Sequence, residues 1–155
     1  MEEQPEVTEV VVVRLGGSRY ALPMHAVAEV GRPPGLTRVP GLPGWLAGIA
    51  NWRGRVLAVL DLRPLLAAPV TAFDRRARLV VLHRAGVAVG LLTDGVEGTH
   101  FVGAEQLEPA LAHLPDTASD LLLGHTTDAG GPCGVVDLDA LYRLAEALPR
   151  ARRAS

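Results

Sequence analysis

Lysine is absent from this chain: all 15 of its Lys/Arg positions are arginine. That bias points to genome composition more than to a function. Set against 17 Asp and Glu, the arginines leave a net charge of −2. A near-neutral balance argues against a general nucleic-acid binder, which needs a concentrated basic face. Cys133 is the single cysteine, so no intrachain disulfide can form and a cytosolic compartment fits. Aromatic residues make up only 4% of a chain that is 48% hydrophobic, so Val, Leu and Ala must fill the core. No uninterrupted apolar run reaches the ~18 residues needed to span a bilayer. The acidic start, Met1 to Glu6, lacks the basic residues and apolar run of a secretory signal. A soluble protein is expected. Its 155 residues suit one domain or two small, tightly joined subdomains.

What is present is a succession of short apolar runs punctuated by glycine and proline. Residues 1–8 read as a disordered N-terminus. Glu9–Leu15 reads as a strand, Gly16-Gly17-Ser18 as a hairpin turn and Arg19–Leu22 as the returning strand. Ala26–Val30 is a third strand, broken by Pro33-Pro34-Gly35, and Thr37–Val39 a brief extended piece. Pro43–Ala47 suits one helical turn. The polar stretch Gly48–Arg55 reads as a tight turn before the strand Val56–Leu60, and Asp61 can cap a short helix through Leu66. After a loop over 67–77 the pattern restarts. Arg78–Leu82 and Val87–Leu92 flank the turn His83–Gly86, and Asp94–Gly98 reads as a turn in which Asp94 bonds its own backbone. Gly134–Val136 is a strand. Asp137 or Asp139 can cap a final helix, Ala140–Leu148, stopped by Pro149, and residues 150–155 form a basic tail.

The restart has the mark of an internal duplication. An offset of 76 pairs Leu46 with Leu122, Gly48 with Gly124, Gly54 with Gly130, Val59 with Val135, Asp61 with Asp137, Leu62 with Leu138 and Leu65 with Leu141. An offset of 69 pairs Val11 with Val80, Val12 with Val81, Gly17 with Gly86, Leu22 with Leu91 and Val27 with Val96. The expected fold is mostly β: one domain over 9–149 of two similar small barrels of short strands, intertwined or adjacent, over roughly 9–70 and 78–149, packed side by side with short helices and a C-terminal helix. Curled units remove exposed sheet edges, and a groove between two of them suits a ligand or partner.

Catalytic chemistry finds little support. His25, His83, His100, His113 and His125 do not share metal-ligand spacing with one another or with Cys133. No Gly-x-Ser-x-Gly elbow is present, and Cys133 reads as a small core residue. Asp61 and Asp137 occupy equivalent places before helical segments, where capping explains both. No phosphate-binding glycine fingerprint is complete. No catalytic residue, cofactor or metal is therefore assigned. Trp52, Arg53 and Arg55 cluster, and Arg75, Arg76 and Arg78 form a second group that reads most simply as a solvated loop. An oligonucleotide-binding barrel is the alternative function, although the strands lack paired aromatic stacking positions. Recognition of protein remains, since Trp and Arg are enriched at interface hot spots. Trp52 reads equally as core and as contact. Arg53, if partly buried, needs an acidic partner, and Glu29 on the third strand is the preferred one.

These pieces together resemble the CheW-type coupling proteins, the small adaptors of bacterial chemotaxis arrays. The resemblance runs from about residue 8 to 148. It is carried by Leu15-Gly16-Gly17-x-x-Tyr20-Ala21-Leu22-Pro23, Val27-Ala28-Glu29-Val30 and Thr37-Arg38-Val39-Pro40. It continues through Gly48–Gly54 into Leu60-Asp61-Leu62-Arg63, then Val89–Val96 and Val136-Asp137-Leu138. The resemblance implies two five-stranded, SH3-like subdomains and a cytoplasmic, non-enzymatic adaptor recruited to membrane-associated receptor arrays. It implies as partners the regulatory domain of a CheA-type histidine kinase, the cytoplasmic tip of chemoreceptors and other CheW-like domains in array rings, with no nucleic acid and no membrane insertion. The family's Asn-x-Arg-Gly turn and Val-x-Glu strand carry over to Asn51, Arg53, Gly54, Val27 and Glu29, with Gly48 and Thr37 in the same region. Trp52 departs from the Leu of many members, and Ala58 from their Pro. The duplication sharpens the assignment: Asn51, Trp52 and Arg53 face Thr127, Asp128 and Ala129 in the second copy, so only the first copy carries the three.

Overall fold

The Val-rich run Val10–Val13 has no polar side: all four side chains are buried, Val10 and Val12 in one cluster and Val11 and Val13 in another. A strand covered on both faces reads as a continuous apolar run, and this one sits in the middle of a sheet. The computed structural model describes residues 7–109, 120–128 and 130–147. Its strands are β1 (Val7–Leu15), β2 (Ser18–Pro23), β3 (Val27–Gly31), β4 (Leu46–Trp52), β5 (Arg55–Leu60), β6 (Arg78–Arg84), β7 (Val87–Thr93), β8 (Gly95–Gly103), β9 (Leu122–Asp128) and β10 (Gly131–Val136). Short 3-10 turns lie at Met24–Ala26 and Ala104–Gln106, and a C-terminal helix, α1, at Leu138–Ala147. The fold is mostly β, with two five-stranded sheets ordered β8-β1-β2-β10-β9 and β3-β6-β7-β5-β4.

The sheets do not follow the halves of the chain expected at 9–70 and 78–149. Each takes one hairpin from one half and three strands from the other. The reason lies in the connections. A single residue, Asp94, separates β7 from β8, too short for even a two-residue hairpin loop, so β8 cannot return beside β7 and crosses to pair with β1. The Met24–Ala26 turn carries β3 away from β2 in the same way, to pair with β6. The open flank of each hairpin is filled by parallel pairing, Arg19–Ala21 with Cys133–Val135 and Ala58–Leu60 with Val89–Leu91.

The repeat read at an offset of 76 reappears as matched hydrogen bonds. Thr37 bridges Ile49, and Glu108 bridges His125. The N–H of Asp61 donates to the Trp45 carbonyl and that of Asp137 to the Leu121 carbonyl, both at 2.8 Å. Gly48 and Gly124 lie under the two bridges, where a Cβ would stand 2.7 Å from the Thr37 oxygen and 2.2 Å from the Glu108 oxygen.

A central cluster joins the two sheets and α1. It contains Val11, Val13, Leu22, Leu60, Val80, Leu82, Leu91 and Leu141, among others. Two smaller clusters lie in the concave side of each sheet, one around Leu57, Val59 and Val81, the other around Val10, Val12 and Cys133. The segment between β5 and β6 is pinned by Arg63, only 2% exposed. Its Nε and Nη2 donate to Asp61 at 3.0 and 2.9 Å, its Nη1 to the Thr71 carbonyl at 2.8 Å, and the guanidinium lies 3.9 Å from the Phe73 ring centroid. Asp94, 3.4 Å from the same Nη1, accepts the Gly16 N–H at 2.7 Å, so this one arginine ties the linker to two turns.

Several local expectations change. Residues 48–52 belong to β4, and only Arg53 and Gly54 form the turn. Pro43–Ala47 makes a single turn bond, Leu46 N–H to Pro43 carbonyl, before β4 begins. Residues 95–98 belong to β8. Asp61 heads one helical turn, closed by Leu66 N–H to the Leu62 carbonyl, and not a regular helix. Asp137 does cap α1, accepting the N–H groups of Asp139 and Ala140. Val7 and Thr8, expected in a disordered N-terminus, instead begin β1, where they pair with Gly103 and Val102. The expectations for the first six residues, for His113, for the helix end at Leu148–Pro149 and for the tail at 150–155 lie outside the described residues. Gly124→Ala is expected to lower the urea unfolding free energy by about 1–3 kcal/mol, the usual cost of forcing extra volume into a packed site. An unchanged midpoint in equilibrium denaturation would remove the steric account of this glycine.

Candidate protein-interaction site

β3 and β4 are the two outer strands of their sheet, and the sheet curls until side chains from one edge meet the other. The contact is made by the β4–β5 turn. Arg53 and Gly54 both have positive φ, 50° and 77°, the backbone of a two-residue hairpin loop whose twist matches the strands. Asn51 seals it: its Oδ1 accepts the Gly54 N–H at 3.1 Å. An arginine in the left-handed region is uncommon, so the side chain, and not backbone preference, accounts for Arg53 at this place.

The turn delivers Arg53 to Glu29 on β3. Arg53 Nε donates to Glu29 Oε2 at 3.2 Å and Nη2 to Oε1 at 3.1 Å. Trp52 Nε1 donates to Oε2 at 2.5 Å. The guanidinium also lies 5.5 Å from the centre of the Trp52 ring. Trp52 turns out to be both core and surface: it is half-buried, packs against the cluster of Leu57, Val59 and Leu79, and points its polar edge at Glu29. The Arg53 guanidinium, followed by the Trp52 N–H, holds the Glu29 carboxyl below the usual carboxylate range, and Glu29 raises Arg53 in return.

The remaining sequence-assigned residues fall at different distances from this corner. Asn51, Trp52, Arg53, Gly54 and Glu29 are brought together. Thr37 is exposed further along the same edge, its N–H donating to the Ile49 carbonyl at 2.8 Å and its carbonyl accepting the Ile49 N–H at 2.9 Å. Gly48 is buried beneath Thr37, where it permits that approach. Val27 packs against the central cluster.

The other sheet closes with the same kind of contact and opposite exposure. There the acid sits at the turn and the arginine on a strand: Arg19 donates to both oxygens of Asp128 at 2.7 and 3.0 Å, and its Nε to Glu97 at 2.9 Å. The Arg19 side chain is 7% exposed and that of Arg53 is 68% exposed. The first is a scaffold contact, while the second leaves a cation on the surface.

Two surface residues were missed at the level of sequence. Val56 is 77% and Val87 46% exposed. Val56 lies opposite Asn51 on β4, and Val87 begins β7, whose Val89 pairs with Ala58. Both sit in runs that read as buried strand, and nothing in residue type distinguishes them from neighbours that are core. The buried pairings of Arg19 and Arg63 were missed for the converse reason, since an arginine reads by default as solvated.

Three other polar or reactive side chains, Cys133, His125 and Arg78, are buried or paired through at least one atom. Cys133 is 2% exposed, and burial pushes its thiol up to about 11. His125 Nε2 lies 3.1 Å from a Glu108 carboxylate oxygen. Arg78 donates to the carbonyls of Arg75 and Ala77, anchoring its own loop. Among the described residues no group of three His, Cys, Asp or Glu could hold a metal ion, and no helix is long and apolar enough to cross a membrane.

Two curled five-stranded sheets share one core, and one of them carries an exposed charged corner: the class is a double-sheet β module. The chain belongs to the CheW-like domain family, whose model matches residues 9–146. It is similar to the protein PilI of Pseudomonas aeruginosa, 37% identical over 105 residues, which is 65% of this chain and 59% of PilI. The chain thus spans less than two thirds of that relative. The protein FrzA of Myxococcus xanthus is 33% identical over 83% of this chain and 79% of its own. The chemotaxis protein CheW of Klebsiella aerogenes is 28% identical over 75% and 70%. Among solved structures, the scaffolding protein TtCheW of Thermoanaerobacter tengcongensis superposes with a TM-score of 0.75 at 21% identity, covering 86% of this chain and 90% of that one.

Glu29 has a lowered native value, so the stability it confers is present above the ordinary carboxylate range, about pH 4.3, and is lost as pH falls through that lowered value. Asp128, lowered chiefly by Arg19, follows the same rule. The stability difference between wild type and Glu29→Gln is expected to be present at pH 7 and to shrink below pH ~4, read from urea midpoints; a difference that does not change with pH would contradict the pairing. Cys133 is expected to resist a thiol reagent at pH 8 until the protein is unfolded, because the buried thiol stays protonated. Labelling of the native protein at the rate of a free thiol would show that the cluster is open.

Proposed function

We propose that this chain is a non-enzymatic chemosensory adaptor, cytoplasmic and recruited to receptor arrays, that couples the cytoplasmic tip of chemoreceptors to a CheA-type histidine kinase. The observation that carries the reading is the corner at Glu29, Trp52 and Arg53. It is ordered by three hydrogen bonds, yet its guanidinium is exposed. A positioned arginine beside the half-buried ring of Trp52 suits one face of a helical hairpin: Trp52 supplies apolar area and Arg53 supplies register. The kinase's regulatory domain, and other CheW-like domains in a ring, pair with the outer strands of the sheets, where unpaired backbone groups are available.

The test is co-purification with the kinase and receptor of the source organism. Arg53→Ala is expected to weaken one partner by about tenfold or more, the loss typical of an arginine hot spot, while the melting transition hardly moves, since exposed ion pairs contribute little stability. Capture of neither partner by the wild-type protein would sink the adaptor reading, and unfolding of the variant would make Arg53 structural. Cys133→Ala is expected to retain partner binding. The oligonucleotide-binding alternative predicts a salt-sensitive mobility shift with single-stranded DNA or RNA, which the adaptor reading does not.

A further inference from the structure

The donors that converge on Glu29 are held in different ways. Trp52 is fixed: its ring packs against Leu57, Val59 and Leu79, and its N–H reaches Oε2 at 2.5 Å. Arg53 is a flexible arm on a surface turn, 68% exposed, and its Nε shares the same oxygen at 3.2 Å. Glu29 therefore has a second donor that does not depend on Arg53. A carboxylate that loses its only charged partner is left to water, whereas one that keeps a hydrogen bond to a rigid donor stays oriented.

The surface at this corner offers donors. Asn51 Oδ1 is taken by the Gly54 N–H, which leaves its side-chain NH2 for another acceptor. Arg53 meets Glu29 through Nε and Nη2, so Nη1 is not used in that pair. Such donors fit a partner residue that only accepts.

We propose that Glu29 and Trp52 form a parking site for Arg53: a carboxylate on the protein partner takes over the Arg53 guanidinium, while the Trp52 indole N–H keeps Glu29 in place. Trp52 is then a positioning residue. Exchange of one carboxylate for another keeps the arginine paired throughout, so release carries little penalty, and the partner is selected for an acidic side chain. The partner half of this inference rests on the adaptor reading. The parking half does not.

The experiment has two arms. In the first, the Glu29 carboxyl carbon and the Trp52 indole N–H are followed by NMR through a pH titration of the full chain and of Arg53→Ala. Glu29 is expected to titrate below its ordinary range even in Arg53→Ala, with the indole proton shifting in step. It should reach the ordinary range only in the Trp52→Phe, Arg53→Ala double variant. Return to the ordinary range in Arg53→Ala alone, with the indole signal uncoupled, overturns the proposal. Should the double variant not fold, the indole signal in wild type and Arg53→Ala decides. In the second arm, interface Asp and Glu of the receptor fragment and of the kinase regulatory domain are neutralised one at a time. One such change is expected to weaken wild type about tenfold and to add nothing in the Arg53→Ala background. Fully additive losses overturn the exchange. Binding of neither partner removes the adaptor reading and the exchange with it, while the first arm still settles whether Trp52 holds Glu29.

Discussion

Two hairpins buried on both faces are what the rest of this molecule is arranged around. β1–β2 and β6–β7 carry apolar side chains in opposite directions, Val10 and Val12 against Val11 and Val13, and Leu79 and Val81 against Val80 and Leu82. A hairpin of this kind cannot stand alone, because burying two faces requires a partner layer on each and its outer strands still need backbone partners. The other half of the chain provides both. Each hairpin receives an antiparallel strand on one flank and a parallel strand on the other, and the convex faces of the two sheets meet in one core that also takes up α1. The halves are thereby made interdependent, which explains why a duplicated sequence folds into two sheets that neither half could complete.

Closure of the sheets follows from the same need to avoid open edges. Each sheet curls until its outer strands approach, a glycine admits a crossing backbone, and an arginine–carboxylate contact holds the corner. The two corners show how a duplicated scaffold can take on separate duties. In the sheet of β1 and β2 the arginine is withdrawn from solvent and bound by Asp128 and Glu97, so its bonding capacity is spent within the chain. In the other it stays at the surface over a tryptophan ring.

Legibility followed burial. The central strands β1, β6 and β7 were readable because doubly buried strands become unbroken Val and Leu runs. β4, β8 and β9 were not: they are outer strands, half exposed, and interrupted by Gly48, Gly98 and Gly124, which signal turns to a reader of sequence. The Glu29–Arg53 pair was readable from the chemical demand of an arginine set in a turn. The third member of that contact, the Trp52 N–H, depended on the ring's orientation, which only packing provides. Asp94 was read as bonding its own turn and instead serves Gly16 and Arg63, because three segments distant in sequence converge there.

The amino-acid sequence by itself determined the class of structure, the repeat and the residues of the charged corner, since hydrophobic period, turn chemistry and an unpartnered arginine are all local properties. Tertiary structure decided which half completes which sheet, which of the two arginines, Arg19 or Arg53, is buried, and that Val56 and Val87 face solvent. Those outcomes depend on which strands lie next to one another and on what covers each face. Such neighbours are set by connections too short to turn back on themselves, and they become visible only when the whole chain is folded.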